Sequence, residues 1–284
     1  MNRIILGGAQ LGLPYGVLGT GEKLDVLEVK DLLDTAESIG IQTIDTAIAY
    51  GTSESVIGDY SNSRFKIITK LPPLPNGVDD VSAWVRQQID GSLTRLQTNS
   101  IDVLLLHHPQ DLSGEFGVKL ERVIGELLSE GIVKRFGVSI YSPDELTTIV
   151  GHFPIDVVQA PFNVFDQRIT SWLKTLSKNG IEVHARSVFL QGVLISAPEA
   201  RPQRFKKWEA QFNHFDNWVS EHSMSAISVC LGVALSQPGI SSVIVGALSS
   251  SQLLETTTQI PKNFLYRLDD FQSNDLKLID PRAW

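Results

Sequence analysis

Eight short runs of apolar, mostly β-branched residues recur along the chain, and a segment with helical spacing follows each. The runs are Ile4–Leu6, Ile41–Asp45, Phe65–Lys70, Ile101–His107, Phe136–Ile140, Ile155–Gln159, Ile181–Ala185 and Val243–Val245. They are nearly continuous in apolar character, as strands buried on both faces of a parallel sheet are. Helices are expected over Leu27–Ile39, Ser53–Tyr60, Val81–Leu96, Val118–Glu130, Pro143–Val150, Trp172–Lys178, Ala226–Ser236 and Ser251–Thr258. Regular alternation without a linker-like change in composition predicts a parallel sheet covered by helices. Eight units favour closure into a (β/α)8 TIM barrel over an open doubly wound sheet, and 284 residues suit one such barrel.

Local signals agree with this division. Gly40, Gly131 and Gly180 fall just after helical stretches, where a left-handed cap favours glycine. Ser142-Pro143-Asp144-Glu145 reads as a helix start. The expected organisation is a single barrel domain over 1–284, with a long loop at about 188–215 and a C-terminal extension at about 264–284. The loop follows the seventh strand and is expected to act as a lid or binding loop, the alternative being a surface insertion.

A formal charge of −8 and a pI near 5.3 argue against a nucleic-acid partner. Cys230, the single cysteine, excludes an intrachain disulfide and suits a reducing cytoplasm. It lies in an apolar stretch and reads as a buried structural thiol. No run approaches the apolar length of a membrane helix or a signal peptide, so a cytoplasmic protein without a membrane partner is expected. Oligomeric state has no signature here, and no metal site is expected.

Four polar residues stand where apolar runs end. Asp45 closes Ile41–Asp45, Tyr50 follows in the next loop, Lys70 ends Phe65–Lys70 and His107 ends Ile101–His107. On a parallel barrel all four meet at one mouth. A free phenol is a poor acid near neutrality, and a neighbouring ammonium lowers its pKa, so Lys70 is expected to make Tyr50 a better proton donor. Asp45 holds Lys70 charged and oriented, and His107 polarises a carbonyl oxygen. The alternatives are a purely structural Asp45–Lys70 salt bridge and a rim-packing Tyr50.

The stretch Ile44-Asp45-Thr46-Ala47-Ile48-Ala49-Tyr50-Gly51, with Ile68-Thr69-Lys70 and Leu104-Leu105-Leu106-His107, resembles the aldo-keto reductases. The resemblance continues through Phe136–Ser139, Val158–Asn163, Gln191–Leu194 and Val243–Ala247, in order and over essentially the whole chain. Ala185-Arg186-Ser187-Val188-Phe189-Leu190-Gln191-Gly192 looks like a bacterial branch often met among surface-polysaccharide functions. The resemblance implies a catalytic tetrad of Asp45, Tyr50, Lys70 and His107, and an extended nicotinamide cofactor bound without a Rossmann motif.

The resemblance also implies cofactor contacts. Ser139 and Gln159 hold the carboxamide, although Ile140 stands where an asparagine is usual. Arg186 occupies the place of an aromatic that stacks on the nicotinamide, and a guanidinium beside an oxidised, positive ring is unfavourable. Arg186 is therefore expected to reach a phosphate or an anionic substrate. Ser187, Phe189, Gln191 and Gly192 line the pyrophosphate. Gly246, Leu248, Ser249, Ser250 and Gln252 lie at the adenosine end, where the serines could equally be a helix cap. The resemblance implies NADPH, but no basic residue lies between Val243 and Ile260 to grip its 2′-phosphate, so NADH is the alternative.

Gln10, Tyr15 and His108 are the substrate-side candidates, with a small carbonyl compound, such as a sugar or sugar derivative, as the partner. His108 could equally be a solvated loop residue. The rival readings are a nicotinamide-binding regulatory subunit resembling potassium-channel β subunits, and a lyase or isomerase using Lys70 as a Schiff base.

Overall fold

The computed structural model describes residues 3–14, 24–61 and 64–284. Eight strands close a barrel in sequence order, and every neighbouring pair is parallel. They are β1 (Ile4–Gly7), β2 (Thr43–Asp45), β3 (Lys66–Leu71), β4 (Val103–Leu106), β5 (Phe136–Ser139), β6 (Val157–Pro161), β7 (Glu182–Arg186) and β8 (Ser242–Gly246). Each expected run thus overlaps one strand of the closed barrel. No single helix among the described residues is long and apolar enough to cross a membrane.

Strand parity explains where the polar groups go. Ile5, Ile68, Val103, Leu105 and Val157, with Ile244 against them, form a small apolar cluster separate from the main core. Register places these residues side by side around the barrel (Ile5 beside Ile244, Ile68 beside Val103), so they fill its inside. Their strand neighbours Leu6, Ile44, Ile67, Leu104, Val158 and Val243 belong to the main core, under the helices. Side chains two apart share a face. Asp45, Lys70, Ser139, Gln159 and Arg186 have the inward parity of the apolar six, one or two steps nearer the C-terminal ends.

Helices cover the strands where expected, with two departures. The connection after β5 is the 3₁₀ helix Pro143–Thr148 rather than an α-helix. Ser142 and Glu145 cap it reciprocally, and Thr147 and Thr148 donate to carbonyls three residues back, which favours the tighter turn. Second, the long connection expected over about 188–215 turns helical. After a 3₁₀ helix at Gln203–Trp208, the helix Glu209–Glu221 buries Phe212 and Phe215.

Phe264 lies against Gly232 near Arg3 and Ile4 at the start of β1, and from Leu268 onward the tail packs along the mouth. Ser273 N–H donates to Phe165 O, Gln167 Nε2 to Leu268 O and Trp208 Nε1 to Asp275 Oδ2. These partners lie beyond the C-terminal ends of β6 and β7, so the tail covers that rim. Cys230 is fully buried, and burial pushes its thiol well up, which suits a packing role.

Candidate active site

Lys70 is fully buried inside the barrel, where an ammonium is tolerated only if paired. Its Nζ donates to Asp45 Oδ2 at 2.7 Å and to the Thr46 carbonyl at 2.8 Å. The other Asp45 oxygen accepts from Gln159 Nε2 at 2.7 Å, and Gln159 Oε1 accepts from Ser139 Oγ at 3.4 Å. One polar chain therefore joins β3, β2, β6 and β5 just above the apolar filling. With Nζ held this way and outside the cleft lining, Lys70 is poorly placed to form a Schiff base with a substrate.

Tyr50 is set over this pair by a tight turn. Its N–H donates to Ala47 O and its carbonyl accepts from Ser53 N–H at the start of the helix Ser53–Ser61. Ser53 Oγ in turn donates to Gly8 O at 2.7 Å, which ties the turn to the end of β1. The Tyr50 ring lies 5.0 Å from Lys70 Nζ and packs edge-on against His107, with centroids 5.7 Å apart. His107 continues β4 in parity, and its N–H extends the ladder to Leu71 O. The tetrad residues are thus together, drawn from three strand ends and one loop.

The electrostatics differ from the sequence expectation at one point. Burial, and then the Asp45 carboxylate, push the Tyr50 phenol well up, against the opposing charge of Arg186. His107 moves the other way: burial, then Lys70 and Arg186, lower it to about 3. It is a neutral imidazole throughout the physiological range and a hydrogen-bonding group rather than a charged acid.

A cleft of about 370 Å³ opens from this centre. Asp45, Tyr50, Gln159 and Arg186 border it together with Gln10, Ser187, Phe189, Gln191 and Gly192, and Gly246, Leu248 and Gln252 on β8 and beyond. The segment after β7 is unusual: Ser187, Leu190, Gln191 and Gly192 all have positive φ. For three non-glycine residues this is a strained conformation, and such strain concentrates at functional sites. Asn163 pins it, donating from Nδ2 to Ser187 O while its Oδ1 accepts from the N–H groups of Phe165 and Asp166. Among the described residues, no acceptor takes the N–H of Val188, Phe189 or Gln191.

Those free donors along a cleft wall suit a pyrophosphate. Gly246 borders the same cleft farther along. The donor set therefore fits a dinucleotide along this wall.

Several expected residues stand elsewhere. Ser139 lies behind Gln159, outside the cleft lining. Ser249 caps the helix Ser250–Thr258, accepting from Gln252 N–H, and Ser250 Oγ donates to Asp31, so neither serine borders the cleft. His108 is exposed, with Nδ1 2.7 Å from Asp111 Oδ1. One step along an extended chain turns it away from the inward side that His107 occupies; neither histidine borders the cleft itself, His107 standing against the Tyr50 ring that does. Tyr15 lies outside the described residues. Asn163, Tyr141 and the Thr46 carbonyl were missed. An asparagine just beyond a strand's C-terminal end was the available signal for the first; the other two act through backbone or stacking and have none.

Fold and site together define a (β/α)8-barrel enzyme with its polar centre at the C-terminal mouth. The chain belongs to the aldo/keto reductase family, whose model matches residues 3–276, and is an oxidoreductase. It is 29% identical over 270 residues to the uncharacterized oxidoreductase YqkF of Bacillus subtilis, covering 87% of this chain and 85% of that protein. With L-galactose dehydrogenase of Arabidopsis thaliana it shares 27% over 279 residues, 89% of this chain and 82% of the relative. An aldo-keto reductase of Bacillus halodurans, solved in its holo form, has a TM-score of 0.76 at 17% identity, over 99% of this chain and 95% of that one. At that identity the likeness is one of fold.

Proposed function

We propose that this protein reduces the carbonyl group of a small aldehyde or ketone with NADPH, NADH being a possible substitute, and that Tyr50 is the proton donor. The observation that carries this reading is the buried Lys70 ammonium, fixed between Asp45 and the Thr46 carbonyl and set against the Tyr50 ring at the inner end of the cleft. When bound, the nicotinamide supplies the hydride to the carbonyl carbon. Tyr50 passes its phenolic proton to the carbonyl oxygen, so that an alcohol leaves and a phenolate remains to be reprotonated from solvent. Lys70 stabilises that phenolate at close range, and neutral His107 offers a hydrogen bond to the developing alkoxide.

Ser187–Gly192 holds the pyrophosphate through backbone N–H groups, and Gln159 meets the carboxamide. The adenosine end lies against Gly246, Leu248 and Gln252. There Ser250 faces the Asp31 carboxylate and no arginine or lysine is near in sequence, so discrimination between the two cofactors is modest. The substrate class in this reading is a hydroxylated carbonyl compound, such as a sugar or sugar derivative. The name of the relative L-galactose dehydrogenase points the same way. A cytoplasmic location and action as a single barrel domain complete the reading.

The test is NADPH and NADH titration by fluorescence, followed by cofactor oxidation with a panel of aldehydes and ketoses. Tyr50→Phe is expected to lower kcat by about 10²–10⁴ with cofactor affinity retained. Near wild-type turnover in that variant would remove Tyr50 from the role. Tight cofactor binding without turnover on any carbonyl would favour a regulatory nicotinamide-binding subunit.

A further inference from the structure

Three arginines touch Tyr141, the residue just past β5 and Ile140. Arg168 Nη2 donates to its carbonyl at 3.1 Å, while Arg186 and Arg282 stack on its ring, with Cζ 4.2 and 4.1 Å from the centroid. Two of the three are neutralised. Arg168 grips Asp166 through Nε and Nη2 at 2.8 Å each, and Arg282 grips Asp280 at 3.0 and 2.6 Å. Arg186 has no such partner among the described residues. Its Nη2 donates to Ile140 O at 2.8 Å and its Nη1 to Ser187 Oγ at 3.4 Å. A guanidinium has five N–H donors, so these two bonds leave capacity, and the charge itself is uncompensated.

Arg186 is half-buried and is the member of the trio that borders the cleft, beside Tyr50 and Gln159. Its charge is felt at both Tyr50 and His107, the groups that flank the reacting carbonyl. A partly desolvated cation is stabilised by an anion with matching geometry, and guanidinium matches carboxylate and phosphate. The nicotinamide ring is no anion, and the cofactor's pyrophosphate is read above as met by the free N–H groups of Val188, Phe189 and Gln191, so an anion on the substrate is the remaining match.

We propose that Arg186 is a specificity-determining residue that binds an anionic group, a carboxylate or a phosphate, on the carbonyl substrate. The Tyr141 ring and the Ile140 carbonyl hold the guanidinium in place, so it stands already ordered at the edge of the cleft. The substrate class is then an aldehyde or ketone whose carbonyl lies a few bonds from a carboxylate or phosphate. This rests on the reductase reading above and deepens it.

The experiment compares matched pairs: 4-oxobutanoate with butanal, and glyceraldehyde 3-phosphate with glyceraldehyde. The readout is the ratio of kcat/KM, charged over neutral, in the wild type, Arg186→Gln and Arg186→Lys. The wild type is expected to favour the charged member of one pair by about tenfold or more, and the pair that responds separates carboxylate from phosphate recognition. Arg186→Gln is expected to lower that ratio by about tenfold to a hundredfold, with Arg186→Lys between. A ratio near unity in the wild type, or one unchanged in Arg186→Gln, overturns the proposal; unchanged selectivity with weakened NADPH binding by calorimetry assigns Arg186 to the cofactor instead. If no carbonyl is turned over, calorimetry with the same four compounds decides. Charge-dependent binding lost in Arg186→Gln then supports the anion site and refutes the reductase reading, and its absence overturns the anion site as well.

Discussion

His107 illustrates how one buried ring couples activity to stability. In the fold its pKa is about 3, against 6.5 when free. Between these values the unfolded chain takes up a proton that the folded chain refuses, so unfolding is favoured as pH falls. The group's contribution is intact above about pH 6.5 and is lost toward pH 3, at up to about 1.4 kcal/mol per pH unit. Urea midpoints measured from pH 7.5 to 4.5 should therefore fall with acidity, and His107→Gln, which cannot take up that proton, should flatten the slope. An identical slope in both proteins would show that the imidazole titrates freely in the fold. The pH profile of kcat/KM between 5 and 8 should likewise carry no titration of His107 in the wild type.

At the scale of elements, the strands carrying the tetrad were readable because buried parallel strands must be continuously apolar, and a charged residue at their ends has few roles. The segment after β7 was not readable in the same way. Its left-handed residues include Ser187, Leu190 and Gln191, where only glycine would announce the conformation. The helix Glu209–Glu221 hid behind the charges of 201–209, although Phe212, Phe215 and Val219 recur at helical spacing. Ser249 looked like either a phosphate ligand or a cap; only the position of Gln252 N–H decided for the cap. The strained segment depends on Asn163, which lies on the connection after β6 and grips three backbone groups. Asn163→Ala leaves those groups without their partner and should destabilise the protein by about 1–3 kcal/mol. If the segment holds the pyrophosphate, NADPH affinity should weaken as well; a lower Tm with unchanged NADPH affinity would separate the segment from the cofactor.

For the molecule as a whole, the barrel supplies a rigid floor and the tail supplies one wall of the mouth. Leu278 and Ile279 are buried, and Trp284 packs edge-on against Phe205, with centroids 5.0 Å apart, on the connection after β7. Arg282 lies at the inner edge of this wall, against Tyr141 and paired with the buried Asp280. The tail thus reaches the rim formed by β5, β6 and β7, where Arg186 stands, and not the far end of the cleft at Leu248 and Gln252. Arg282→Ala removes the stacking partner and leaves Asp280 without its guanidinium; with the arginine half exposed, a loss of up to about 1 kcal/mol is expected. The same change should raise KM for the carbonyl substrate, because Tyr141 and hence Arg186 lose their backing, while NADPH affinity is retained. A matched loss of affinity for cofactor and substrate would mean that the tail supports the whole mouth rather than this one wall, and calorimetry beside steady-state kinetics distinguishes the two outcomes.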